Sequence, residues 1–122
     1  MDTTQFQFAH HKLEAYRVAR QMAVRAKDIC DGVPRGYRKW ADQLLRAAGG
    51  TVALIGEGAN RFSAGQKRQR YIEARGEAGE VAAWVEQLHL CGLVAEADAL
   101  EVLALADRVC GMLTRLIQRH AA

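Results

Sequence analysis

The stretch from Leu44 to Glu80, LLRAAGGTVALIGEGANRFSAGQKRQRYIEARGEAGE, decides the fold of this chain. Apolar residues at helical spacing continue as far as a tight connection at Gly58–Ala64. A second helical pattern follows, with basic residues in its first turns and an apolar stripe in the later ones. Ser63 and Gln66 have the spacing of a capping box, which predicts that the second helix begins near Ala64. Helices joined by so short a connection are expected to be antiparallel neighbours.

Two adjacent glycines, Gly49 and Gly50, fall in the middle of the first of these helices. Each glycine at such a position costs roughly 1 kcal/mol relative to alanine. Close approach of a neighbouring helix would explain this cost, because only glycine leaves the space free. We therefore expect close packing at Gly49–Gly50, with a mild local irregularity of the helix.

Two further segments with helical periodicity lie on either side of this central pair. Gly32 is placed to end the first of them, Pro34 suits the first turn of the next helix, and Gly92 matches the end of the third. The pattern predicts one all-α domain over residues 1–122, an up-down-up-down antiparallel four-helix bundle. Its helices are expected at about 11–31, 35–58, 64–91 and 95–119.

The last helix carries two neighbouring apolar stripes. Leu100, Leu103, Ala106, Cys110, Leu113 and Ile117 form the first stripe. The second consists of Val102, Leu105, Val109, Met112 and Leu116. Together they make an apolar face too wide for a half-solvated helix, which predicts that the second stripe lies in an interface between subunits. Deep burial of the helix in its own bundle is the alternative.

The composition is that of an ordinary globular chain, with 50% apolar and 25% charged residues. No apolar run is long enough to span a membrane, and the first residues lack the pattern of a signal peptide. The expected location is the cytoplasm, where Cys30, Cys91 and Cys110 would be reduced thiols.

Charge is distributed unevenly along the chain, whose formal net charge is +3. Residues 1–76 hold 14 Lys/Arg and 7 Asp/Glu, a balance of +7, whereas residues 77–122 hold 3 and 7, a balance of −4. A basic first half favours an anionic partner. The alternative is that the two halves neutralise each other across helix or subunit interfaces.

No motif for catalysis, metal binding or a cofactor emerges from the chain. His10 and His11 are adjacent and diverge on a helix, and His89 and Cys91 also fall on different faces. The glycine-rich turn at residues 56–60 lacks the Lys-Ser/Thr pair of a phosphate-binding loop. We therefore expect no enzymatic activity, no metal and no cofactor.

A cluster of basic residues around the central connection is the best candidate for a binding site. The candidate nucleic-acid-binding residues are Arg46, Arg61, Lys67, Arg68, Arg70 and Arg75. Phe62 and Tyr71 lie among them and could stack on bases. Such contacts would be made to phosphates and would depend strongly on salt. The alternative is an ordinary solvated charged surface.

The same stretch resembles the four-helix-bundle proteins encoded by intervening sequences of bacterial 23S ribosomal RNA genes. The resemblance rests on Leu44, Arg46-Ala47-Ala48, Ile55, Glu57-Gly58, Arg61, Ser63, Ala74-Arg75-Gly76, Glu80 and Leu93. It covers the middle and third quarter of the chain, the first helix loosely, and the last helix by pattern alone.

The resemblance implies an up-down bundle that assembles as a ring-like homopentamer. Members of the family are similar to the accessory protein of diversity-generating retroelements, a basic pentamer that binds nucleic acid and a reverse transcriptase. This chain departs from the family pattern at Val52 and Leu54, where many members have Pro and Asn. It also has Phe62 in place of a second basic residue, and Gln66 in place of an acidic one.

Two functions are therefore predicted. The first is a non-enzymatic homo-oligomer that binds RNA or DNA through its basic surface, with a nucleic-acid-processing protein as a further partner. The second is a protein-interaction scaffold whose charged faces serve subunit and partner contacts. In the second case acidic groups of a neighbouring subunit, such as Glu96, Asp98 or Glu101, would cover the basic surface.

Overall fold

The computed structural model describes residues 1–121, and all of the regular structure in that range is helical. Its four long helices are α1 (Glu14–Gly32), α2 (Arg38–Asn60), α3 (Ala64–Leu90) and α4 (Glu96–Arg119). Short 3₁₀ turns at Ala9–Lys12 and Arg35–Tyr37 precede α1 and α2. None of the helices in this range combines the length and the apolarity needed to cross a bilayer.

Each helix packs against the next one along the chain, and α4 closes the square against α1. The three connections are short, as an up-down-up-down antiparallel bundle requires. The predicted fold class is therefore confirmed. We call the end that holds both chain termini and the α2–α3 connection the terminal pole, and the opposite end the distal pole.

The core consists of two stacked clusters of small and aliphatic side chains. The cluster near the distal pole is built around Met22, Leu44, Val85 and Leu88, all of them fully buried. The cluster near the terminal pole includes Val18, Ile55, Tyr71 and Leu113. Alanines line much of the space between the helices, which allows their backbones to approach closely.

The helix ends follow the capping signals in the sequence. The Ser63 hydroxyl accepts a hydrogen bond from the Gln66 amide at 3.1 Å, so α3 begins at Ala64 as predicted. Gly92 adopts a φ of +74° just after α3, the left-handed conformation that glycine provides at a helix end. The second helix differs from its prediction, because residues 35–37 form a 3₁₀ turn and α2 itself starts at Arg38.

The prediction of close packing at Gly49–Gly50 is wrong. A Cβ atom on Gly49 would meet nothing within 4 Å, and one on Gly50 would make only ordinary contact, at 3.5 Å, with the side chain of Glu77. The helix continues through both residues. The close approach lies two turns further on, at Gly58, where a Cβ would fall 2.7 Å from the ring of Tyr71.

The second apolar stripe of α4 is largely buried within the chain itself. Val102, Val109 and Leu116 are 1%, 0% and 7% exposed and belong to the core clusters. Leu105 and Met112 are half-buried. The premise that this stripe needs a second subunit to cover it is therefore wrong for Val102, Val109 and Leu116, because the other three helices bury these side chains.

The 3₁₀ turn before α1 is attached to the end of α2 through His10. The Asn60 amide nitrogen donates to the Gly56 carbonyl at 2.8 Å and lies 2.8 Å from His10 Nδ1. Because that nitrogen carries only hydrogens, His10 Nδ1 must be the acceptor, which requires a neutral imidazole. Burial lowers the pKa of His10, and the nearby His11 and Arg20 lower it further.

Acid is expected to release this turn. A histidine whose pKa is lower in the folded state than its ordinary 6.5 contributes stability that is complete above that pH and is lost as the pH falls below it. The protection factors of the amides of residues 9–13, obtained by correcting exchange rates for the intrinsic pH dependence of amide exchange, should therefore fall on acidification below pH 6.5. A His10→Gln variant should lose this pH dependence, whereas His11→Gln should keep it; protection factors that do not change with pH in the parent protein would contradict the assignment.

Candidate nucleic-acid interface

Arg46 is engaged in an ion-pair network between α2 and α3. Its guanidinium pairs with Glu77 at 3.2 Å and also forms an ion pair with Glu80. These carboxylates raise the pKa of Arg46, the Glu80 hydrogen bond making the largest contribution. Two acidic partners neutralise this arginine, so Arg46 is a structural residue and leaves the candidate interface.

Lys67 closes the carboxyl end of α2. Its ammonium donates to the Ala59 carbonyl at 2.8 Å and reaches the Gly58 carbonyl at 3.5 Å. The last carbonyls of a helix have no partner within the helix, and a cation placed there also complements the helix dipole. A cation near the start of α3 opposes the dipole of α3 itself. Lys67 is nevertheless placed there because its ammonium satisfies the end of the neighbouring helix.

Removing this ammonium is expected to destabilise the bundle. A Lys67→Met variant keeps the aliphatic stem but leaves the Ala59 carbonyl without its donor, which should lower the free energy of unfolding by about 1 kcal/mol. Urea denaturation followed by circular dichroism measures this. Arg61→Met is the matched control, since Arg61 is exposed and should change stability little. Equal stability of the two variants would contradict the capping role.

Arg70 and Arg75 also have partners within the chain. The Arg70 guanidinium lies 3.2 Å from Glu73 and 4.0 Å from Glu57, joining α3 to the end of α2. The Arg75 Nε donates to the Thr114 hydroxyl at 2.9 Å, joining α3 to α4. Both remain cationic, but their positions are set by helix packing, so they are secondary members of any interface.

Arg61 and Arg68 are the two predicted residues that are freest to bind a ligand. Arg61 is exposed in the connection between α2 and α3. Arg68 is half-buried on the first turns of α3, and its Nε is buried without a hydrogen-bond partner among the described residues. No acidic side chain of residues 1–121 lies within 4.0 Å of either guanidinium.

The two aromatic residues of the cluster have opposite environments. Tyr71 is 2% exposed and packs against Gly58, and burial raises the pKa of its phenol. The suggestion that Tyr71 could stack on a base is therefore wrong, because its ring is part of the core. Phe62, by contrast, is fully exposed in the connection.

The bundle sorts charge by pole. If each helix is cut near its middle, the terminal half comprises residues 1–22, 50–75 and 108–121 and holds 11 Lys/Arg against 4 Asp/Glu, a balance of +7. The distal half, residues 23–49 and 76–107, holds 6 against 10, a balance of −4. The difference in charge balance between the first and second halves of the sequence thus has a counterpart of the same size between the two ends of the molecule.

Sequence reasoning missed the basic residues that the topology adds to this pole. Lys12, Arg115 and Arg119 are exposed, and they lie on the turn before α1 and on the last turns of α4. The antiparallel arrangement brings these segments to the same end as Arg61 and Arg68. The predicted bundle topology could have revealed these residues, because it already places the end of the fourth helix beside the second connection. The terminal pole is thus a basic surface assembled from the turn before α1, the α2–α3 connection, the first turns of α3 and the last turns of α4.

Two grooves on the sides of the bundle expose apolar surface. The groove between α1 and α4, about 670 Å³ in volume, has Val24 and Leu105 among Arg17, Arg20, Arg25 and Arg108. The groove between α3 and α4, about 610 Å³, has Leu90, Leu100 and Leu103 beside Glu86 and Glu96. Leu90 and Leu100 are 79% and 57% exposed. One groove is thus rich in arginine and the other is apolar with acidic neighbours.

These features define an all-α, four-helix-bundle protein with one basic pole and no group of metal-binding side chains within residues 1–121. The model of the family "23S rRNA-intervening sequence protein" matches residues 11–115. The chain therefore belongs to the 23S rRNA-intervening sequence protein family.

A solved structure has the same fold. It is the crystal structure of a protein with unknown function from the S23 ribosomal protein family of Bacteroides thetaiotaomicron VPI-5482. It is similar to this chain with a TM-score of 0.79 and 18% identity, over 85% of this chain and 95% of the other. No curated protein matches the sequence. At this identity the likeness shows the fold alone.

Proposed function

We propose that this protein is a non-enzymatic bundle that binds RNA or DNA through its terminal pole. The observation that carries the proposal is the segregation of charge, with a balance of +7 in one half of the molecule and −4 in the other. A concentrated basic surface attracts the phosphate backbone and releases its counterions. The exposed residues Lys12, Arg61, Arg115 and Arg119 supply this charge, with Arg68 beside them.

A salt titration tests this function. Fluorescence anisotropy of a labelled structured RNA should show binding at low ionic strength, and the logarithm of the affinity should fall linearly with the logarithm of the salt concentration. Each phosphate contact contributes about 0.7 to 0.9 to the slope. An absence of binding to RNA and to DNA even at low ionic strength would contradict the proposal.

We further propose that the chain forms a homo-oligomer through the two side grooves. The groove between α1 and α4 carries four arginines, of which Arg17, Arg25 and Arg108 already pair with acidic side chains of the same chain. The groove between α3 and α4 is apolar with acidic neighbours, so the two grooves can exchange these ion pairs across a subunit contact, and both expose leucine or valine. Two different surfaces that pair in this way make a heterologous contact, which closes into a ring when the rotation between subunits permits it and otherwise builds an open filament. A ring-like homopentamer is the assembly that the family resemblance implies.

This assembly moves the proposed interface on α4 to a different set of residues. Leu100 and Leu103 replace Val102, Val109 and Leu116, because the latter are buried in the chain's own core. Multi-angle light scattering of the parent protein should give a mass several times that of the 13.5 kDa chain. A Leu100→Lys variant should dissociate the assembly, and a monomeric parent would contradict it.

A further inference from the structure

Phe62 is placed at the tip of the terminal pole with its whole side chain in solvent. Its relative exposure is 101%, although a phenylalanine is ordinarily buried or partly covered. Only Arg61, Phe62 and Ser63 separate the last residue of α2 from the first residue of α3. The ring belongs to neither core cluster, so the fold does not need it.

The backbone that carries this ring is fixed on both sides. Ser63 caps α3 through its hydrogen bond with the Gln66 amide, and Lys67 bonds back to the Ala59 carbonyl at 2.8 Å across the connection. A short connection held at both ends keeps the position of Phe62 constant. Binding through this side chain therefore costs little ordering of the backbone.

The surroundings of Phe62 are polar and cationic. A recess of about 250 Å³ beside the connection is lined by Arg61, Gly65, Gln66, Gln69 and Arg70. An apolar protein surface docked on Phe62 would have to desolvate these arginines and amides without giving them partners. A ligand that combines a flat apolar face with negative charge would satisfy the ring and the arginines together, and a nucleotide has both features.

We infer that Phe62 stacks on an unpaired nucleobase and that the ligand of the terminal pole is a single-stranded segment of RNA or DNA. This inference rests on the nucleic-acid binding proposed above and defines its substrate class. The faces of bases in a regular duplex are covered by their neighbours, so a single ring at a loop tip finds a partner only where bases are splayed out. Gln66 and Gln69 line the recess beside the connection, and a side-chain amide can both donate to and accept from the edge of a base.

The test compares two probes on the full chain. One is a short single-stranded RNA with 2-aminopurine at its centre, and the other is the same sequence as a duplex. The single strand should bind more tightly, and 2-aminopurine fluorescence should rise as the base leaves its stacked neighbours for the ring. Phe62→Ala and Phe62→Leu should each weaken single-strand binding about fivefold or more and remove this fluorescence change. Neither of these two variants should change the affinity for the duplex. Phe62→Tyr should retain the single-strand affinity and the fluorescence change of the parent protein.

Leu45→Ala serves as the matched control, since Leu45 is an exposed apolar side chain on α2 away from the connection. It should change neither affinity. Equal affinity for the two probes, with no effect of Phe62→Ala, would overturn this inference and leave phosphate binding intact. Failure of both probes to bind would overturn the inference together with the proposed function. A change of molecular mass in Phe62→Ala would assign the ring to a subunit contact and would also overturn it.

Discussion

A Gly58→Ala variant is expected to lose about 1–3 kcal/mol of unfolding free energy, a large fraction of the stability of a small domain. The added methyl group would fall 2.7 Å from Tyr71 Cε1, 2.9 Å from Tyr71 Cδ1 and 3.1 Å from Arg70 Cβ. Tyr71 is 2% exposed and enclosed by the terminal-pole core, so its ring cannot swing away into solvent. The two helices must move apart or the ring must leave its rotamer, and both options cost energy.

Gly49→Ala is the matched control for this variant, because it makes the same chemical change in the same helix. Gly49 is exposed, and a Cβ there meets nothing within 4 Å. Alanine has the higher helix propensity, so this variant should gain roughly 0.5–1 kcal/mol. The two substitutions should thus shift the urea midpoint in opposite directions.

A double variant separates the steric explanation from a general weakening of α2. Tyr71→Leu by itself removes part of the core and should be destabilising. If the clash with the ring is the cause, Gly58→Ala should cost clearly less in the Tyr71→Leu background than in the parent protein. An equal cost in both backgrounds would contradict the contact between Gly58 and Tyr71 as the origin of the effect.

The glycines show where sequence reasoning about this fold stops. Periodicity predicted four helices and their order, because the apolar stripes of a bundle repeat at the spacing of the helix itself. Which glycine meets a neighbour depends on how far one helix is shifted along the other. That register is set by the packing of α2 on α3. The pairing of Gly49 with Gly50 in the sequence therefore does not indicate a contact, and Gly58 is the glycine that meets a neighbour.

The basic cluster shows the same dependence on register. Arg46, Lys67, Arg70 and Arg75 look alike in the sequence, yet each is held by a carboxylate, a helix end or a hydroxyl. Local spacing reveals pairs on one helix, such as Arg70 with Glu73, but gives no access to partners on a neighbouring helix. Of the six predicted residues, Arg61 and Arg68 therefore remain at the centre of the candidate interface.

The predicted interface on α4 fails for a related reason. A face this wide exceeds what a half-solvated helix needs, which predicts a second subunit to cover it. In the square arrangement α4 packs against both α1 and α3, so two neighbouring stripes are needed inside the chain. The surface that is left over lies at the edges of that face, at Leu100 and Leu105, where the grooves begin.

Reversing three charges at the terminal pole is expected to lower the affinity for RNA at low salt about 100-fold or more. The triple variant Lys12→Glu, Arg61→Glu and Arg115→Glu uses exposed residues only, and it leaves the structural contacts of Lys67, Arg70 and Arg75 in place. Each of these side chains that contacts a phosphate should also reduce the salt slope by about 0.7 to 0.9. Anisotropy titrations at several salt concentrations measure both quantities.

The decisive comparison is with the same reversal at the distal pole. Arg35→Glu, Arg38→Glu and Lys39→Glu change exposed residues and alter the net charge equally, by −6 from +3 to −3. If the affinity for RNA followed the net charge of the protein, both triple variants would lose affinity to the same extent. If the terminal pole is the binding site, the variant with the three distal substitutions should keep most of its affinity for RNA. Light scattering on the same samples tests the scaffold function as well. If the parent protein binds no RNA and the terminal variant dissociates the oligomer, these charges serve subunit contacts. If the parent protein binds RNA, and the terminal variant keeps its mass but no longer binds, the charges serve nucleic-acid binding.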